Sequence, residues 1–132
     1  MSQATLFRTV PESDPLKFWS DHGCDYKRVS EFLEFDRNEL SKLGGISKQS
    51  VRYDEKMPAA LSDRLDQIAN IISLVAEYFD GDIRKTALWF KTPNPMLGNI
   101  SPRDMIRFGR YERLSKFVQQ ARQANEASGE AN

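Results

Sequence analysis

The sequence predicts an all-α fold, and three observations carry that expectation. There is no long run of alternating β-branched residues. Apolar residues instead recur at spacings of three and four, the period of a helix. Helix-opening and helix-closing residues also punctuate the chain at short intervals. With 132 residues, 39% hydrophobic and 29% charged, the composition is that of an ordinary soluble globular protein of one domain or two small ones. No apolar run approaches the roughly 20 residues of a membrane span. The opening stretch MSQATLFRTVPESD has neither a basic start before an apolar run nor a small-residue cleavage site, so no secretory signal is expected. A single cysteine, Cys24, rules out a disulfide framework and fits a bacterial cytoplasm.

The elements follow in order. Ser13 before Asp14-Pro15, with Leu16, Phe18 and Trp19, predicts a short first helix ended by Gly23. Asp25 caps a second helix whose face is Tyr26, Val29, Phe32 and Leu33. Asp36 with Glu39 three residues later is a capping box for a third, with Leu40 and Leu43 inside and Gly44-Gly45 as its stop. Ser47 is expected to open a fourth. Leu61, Leu65, Ile68, Ile72, Val75 and Phe79 then step by four, three, four, three and four, placing one stripe on a helix from about Ala59 to Phe79. So short a stripe is read as a core-facing helix of a small bundle before a coiled-coil seam.

Asp80-Gly81-Asp82 reads as a stop followed by the cap of the next helix, which must end before Pro93. Thr92-Pro93-Asn94-Pro95 and Gly98-Asn99 are loop and turn. Ser101-Pro102 opens another helix, with Asp104 favourably placed in its first turn. Gly109 interrupts, and a last helix runs from about Arg110 through Leu114, Phe117, Val118 and Ala121. Residues 126–132 are small and polar and are expected to be a disordered tail.

Net charge is zero, with 19 Lys/Arg and 19 Asp/Glu, which excludes a chain that coats nucleic acid or membrane by bulk positive charge. The distribution is uneven. Residues 1–35 hold four basic and six acidic groups, residues 36–83 six and nine, and residues 84–132 nine and four. Such an asymmetry suggests halves with different partners, or halves that pair with each other.

Catalytic chemistry has little to work with, and no catalytic residue, metal or cofactor is expected. His22, Cys24 and Asp21 are close in sequence, but neighbours in a helix-ending turn rarely align as nucleophile and base. One His and one Cys fall short of a metal site. There is no phosphate-cradling glycine loop followed by Lys-Ser/Thr.

Residues 40–53, LSKLGGISKQSVRY, carry a helix-turn-helix pattern: small Ser41, turn Gly45 and buried Val51, with Ile46 plugging the turn. In that reading Ser47, Lys48, Gln49, Ser50 and Arg52 face a DNA major groove. Gln49 suits adenine, Arg52 suits guanine, and Ser47 or Lys48 suits phosphate. Gly44 stands where an apolar residue usually packs, and Asp54-Glu55 put acidic charge beside the reading helix.

Residues 87–109, ALWFKTPNPMLGNISPRDMIRFG, add a resemblance. Ala87, Trp89, Thr92-Pro93-Asn94, Leu97-Gly98, Ser101-Pro102, Asp104, Ile106 and Gly109 are similar to the toxin-binding domain of the Xre/MbcA/ParS antitoxin family. With Leu61-Ser62, Ala76, Phe79 and Gly81-Asp82 the similarity spans about residues 59–121. The residues before it resemble the Xre-like module that accompanies this domain. The division implied is a DNA-binding region over 1–58, a toxin-binding domain over 59–125 and the tail.

The resemblance implies a RES-domain toxin as partner, from a family that consumes NAD or uses it for ADP-ribosylation. It implies neutralisation by obstruction of the NAD pocket, repression of the operon through operator DNA, and a homodimer or toxin–antitoxin hetero-oligomer. Arg103, Arg107, Arg110 and Arg113 step by four, three and three, with Gly109 bending the line. With Tyr111 and Lys116 they are the candidate toxin contacts, since arginine suits interface ion pairs. Trp89, Pro93, Leu97 and Pro102 read as core and loop scaffold. The alternative is a solitary helix-turn-helix regulator without a toxin.

Overall fold

Helix starts follow the caps read from the sequence, and the computed structural model describes residues 14–131, with side chains to Asn125. Asp25 caps α1 (Tyr26–Leu33) by accepting from the backbone N–H of Arg28. Asp36 and Glu39 form the reciprocal capping box of α2 (Arg37–Gly44). Helix α3 (Ala59–Tyr78) holds the long apolar stripe, and Leu61, Leu65, Ile68, Ile72 and Val75 are all buried. Asp82 caps α4 (Ile83–Lys91), which stops short of Pro93 as the chain chemistry requires. Ser101 caps α5 (Pro102–Arg107), and α6 covers Tyr111–Ala131. Those six α-helices, with short 3-10 turns at Lys48–Ser50 and Pro95–Leu97, make the described residues an all-α fold.

Helix α3 is the axis. It packs against α1, α2, α4 and α6, while α5 bridges α4 and α6. One hydrophobic cluster runs from Leu16 to Val118 and crosses the 58/59 position without a break. At the crossing of α2 over α3, the position of a Cβ on Gly44 lies 2.9 Å from Leu61 Cβ and 3.2 Å from its Cα. Glycine is there because the two helices touch backbone to side-chain root, which explains the departure from the apolar residue usual at that place.

Three expectations are corrected. The first helix is absent: residues 14–18 form a turn and Trp19–Ser20 (β1) pairs antiparallel with Gly23–Cys24 (β2), Trp19 opposite Cys24. Asp14 decides this by spending its carboxylate on the backbone N–H groups of Phe18 and Trp19, both at 2.9 Å, while Lys17 turns left-handed. The cap expected at Ser13 lies outside the described residues. The helix expected from Ser47 is only the 3-10 turn Lys48–Ser50, after which the chain runs irregularly to Pro58. Finally, α6 continues to Ala131 through residues whose composition predicts a disordered tail.

Candidate functional site

The corner read as a helix-turn-helix has its first helix and turn, but no reading helix. Ser41 and Val51 are buried and Gly45 is left-handed, as that pattern asks. Ser47 makes no capping bond to the backbone; its hydroxyl bonds Ser50 Oγ at 2.8 Å instead. Arg37 reaches across from α2 to donate to the carbonyls of Lys48 and Val51, at 2.9 and 2.8 Å. Those carbonyls are therefore tied to α2. Lys48 and Gln49 project into solvent. Arg52 is paired with Asp54 at 2.7 Å, and that contact holds the Asp54 carboxyl below its usual range.

The second candidate face is the bend between α5 and α6. Gly109, at φ +80°, is left-handed and turns the chain as its position predicts. The six residues assigned there divide into two groups. Arg107, Arg110, Arg113 and Lys116 are exposed, and beside them Phe108 is 57% exposed with the Arg107 guanidinium stacked 5.0 Å from its ring. Arg107 also pairs with Asp104 at 3.2 Å across one turn.

Unlike those four, Arg103 is half-buried and Tyr111 buried. Arg103 donates to the carbonyls of Leu33 and Glu34 at the end of α1, stacks 4.9 Å from the Phe35 ring and lies 3.6 Å from Glu39. Tyr111 is buried, its hydroxyl accepting from Arg64 of α3, whose guanidinium lies over the ring. Sequence spacing could not separate these from the exposed arginines. Only the neighbours of each position do.

Residues 87–109 fold as one unit. Thr92 bonds back to Leu88 through its hydroxyl, Asn94 caps the 3-10 turn, and an isolated bridge between Asn94 and Ile100 closes the loop. Pro102 is buried and Leu97 packs against the core, as scaffold residues should, while Pro93 is exposed. Trp89 differs. It is half-buried, edge-on to Phe90, and lines a groove of about 670 Å³ between the end of α3, α4 and α6. Leu74, Tyr78, Phe79, Phe117 and Ala121 line it too. The helical stripe on α6 is legible in sequence, but the gap between α4 and α6 is not.

Cys24 is half-buried in β2. Burial, reinforced by the carboxylates of Asp66, Asp25 and Asp14, pushes its thiol up to about 12, so it stays protonated at neutral pH. His22 sits in the exposed hairpin turn, its backbone N–H on Ser20 Oγ. Nearby, Tyr26 donates to Asp66 Oδ1 at 3.0 Å; burial raises both groups from their ordinary values. Among the described residues no group of three or more His, Cys, Asp or Glu could hold a metal ion. No helix among them is long and apolar enough to cross a membrane.

No family model matches the chain, and no curated protein matches it. Among solved structures it is similar to a chain of the M. tuberculosis MbcT–MbcA toxin–antitoxin complex, at 20% identity and a TM-score of 0.47. The similarity covers 72% of this chain and 87% of that one.

Proposed function

We propose that this chain is the antitoxin of a type II toxin–antitoxin pair, binding a RES-domain toxin and obstructing its NAD pocket. The observation that carries the reading is the run from Ala87 to Gly109, whose antitoxin-like residues form one closed unit, α4–loop–α5, ending in the basic bend. The bend presents Arg107, Arg110, Arg113 and Lys116 beside exposed Phe108, a combination of arginine and aromatic surface that suits a protein interface. The partner surface it fits is acidic or anion-binding.

Operator binding belongs to the same proposal in a reduced form. A three-residue turn offers Lys48 and Gln49 to a groove, with far fewer base contacts than a reading helix, and Asp54 offsets the charge of Arg52. Two copies or a larger complex would have to supply the rest of the phosphate contacts.

A tagged full-length chain, purified from its native host, should bring down a RES-domain protein that is silent in the complex and consumes NAD once separated. The double charge reversal Arg107→Glu/Arg110→Glu should abolish retention and protection. Protection unchanged by that variant refutes the assignment of the bend. A chain that comes down alone yet shifts its own promoter DNA points to a solitary regulator.

A further inference from the structure

The outward side of α6 is polar, basic and unused by the fold. Tyr111, Leu114 and Val118 turn one side of the helix into the core. Arg113, Lys116, Gln120 and Gln123 step by three, four and three, which puts them together on the opposite side. All four are exposed. From Tyr111 to Asn125 the helix carries one acid, Glu112, against Arg113, Lys116, Arg122 and the glutamines at 119, 120 and 123. Arg122 is held by Glu77 at 3.3 Å, whereas Arg113 and Lys116 have no ion-pair partner among the described residues. Beyond Val118 no residue through Asn125 is buried, so α6 stands clear of the core for about two turns. Its 21 residues extend about 31 Å.

We infer that this side of α6 lies in the major groove of duplex DNA, as the reading helix that the corner at Lys48–Ser50 lacks. The inference rests on the operator-binding part of the reading above and moves its centre to another helix. A helix with its side chains is about 10–12 Å across and fills a major groove about 12 Å wide. Arg113 and Lys116 reach phosphate, continuing the positive charge of Arg107 and Arg110 at the bend. Gln120 and Gln123 face base edges, where a glutamine amide bonds adenine in bidentate fashion. Being uncharged, those amides leave the far end of the face without repulsion for phosphate. The corner offers less: its Arg52 is paired with Asp54, and Arg37 holds the carbonyls of Lys48 and Val51. The four side chains on this face of α6 also give a protein partner no apolar anchor, which favours nucleic acid as the occupant. Duplex RNA is excluded because its major groove is too deep and narrow for a helix.

Fluorescence anisotropy of the full chain with a labelled duplex of its own promoter tests this. The native chain should bind that DNA roughly tenfold or more tighter than an RNA duplex of the same sequence. Gln120→Glu/Gln123→Glu should weaken promoter binding roughly tenfold or more, with circular dichroism unchanged. Lys116→Ala should reduce the slope of log affinity against log salt by about 0.9, the value of one phosphate contact, which a merely structural role would not move. Gln120→Ala/Gln123→Ala should keep that slope but bind the promoter and a shuffled duplex alike. No binding by the native chain at low salt, equal binding of the RNA duplex, or glutamine variants that bind as the native chain does overturns the inference. If Lys48→Ala/Gln49→Ala alone loses the promoter, operator binding stands at the corner and only the inference falls. A protein on this face also overturns it. Gln120→Glu/Gln123→Glu would then dissociate a dimer in sedimentation, or stop the tagged chain from retaining its toxin.

Discussion

Replacing Arg103 with alanine should cost stability rather than partner binding, the reverse of what its place in the arginine series implies. The side chain is 22% exposed and caps the end of α1 from outside, donating to the Leu33 and Glu34 carbonyls that the helix leaves without partners. A hydrogen bond from a charged donor contributes about 1.5–3 kcal/mol when fully buried, and partial exposure brings these two to about 1 kcal/mol each. Stacking on Phe35 adds about 0.5–1 kcal/mol. The ion pair with Glu39, at 3.6 Å, adds little. The sum is a loss of about 2–3 kcal/mol, or roughly 10 °C in Tm for a chain of this size. Arg103→Lys should recover less than half, because a single ammonium cannot span two carbonyls and stack at once. Arg107→Ala, whose pairing partner Asp104 is equally open to solvent, should stay within about 0.5 kcal/mol of the native chain. Urea denaturation followed by tryptophan fluorescence measures all three. If Arg103→Ala unfolds like the native chain but no longer retains the partner, the capping argument is wrong and Arg103 is a contact residue.

Two other perturbations test the core. Gly44→Ala places a methyl 2.9 Å from Leu61 Cβ, and the overpacking cost of about 1–3 kcal/mol should exceed the helix-propensity gain of at most about 1 kcal/mol. Leu61→Ala should not rescue it, because the close atoms are the Cβ and Cα that alanine keeps; rescue in urea melts would show that the clash lies elsewhere. Asp66→Asn keeps an oxygen for the Tyr26 hydroxyl and removes a half-buried charge. Burial raises the Asp66 carboxyl above its ordinary value of 3.8, so the folded state takes up its proton first and gains stability as pH falls from the raised value toward 3.8. That gain should disappear in Asp66→Asn, which should also be no less stable than the native chain at pH 7. An unchanged pH profile in thermal melts would remove Asp66 as its source.

Much of the fold was legible because its signals are local. Asp25, Asp36 and Asp82 each cap a helix by accepting the backbone N–H three residues on. The stripe from Leu61 to Val75 buried itself as its period required. The two local misreadings have equally physical causes. Asp14 used its carboxylate on a loop rather than a helix start. Arg37 claimed the carbonyls of Lys48 and Val51, leaving one 3-10 turn where a small-residue pattern promised a helix.

The candidate site shows the same boundary more sharply. Alone, the amino-acid order determined the all-α class, the helix limits around Pro93 and Gly109, and the concentration of positive charge after residue 83. Tertiary structure decided which arginines remain available to a partner. Arg103 and Arg107 stand one helical turn apart on α5, yet one is held by the end of α1 and the other faces water. It also opened the groove beside Trp89, which exists only because α4 and α6 both pack on α3 and leave a gap between them. Caps and periods act within a few residues and are written in the chain. Exposure and concavity depend on what distant segments bring to a position, and no spacing encodes that.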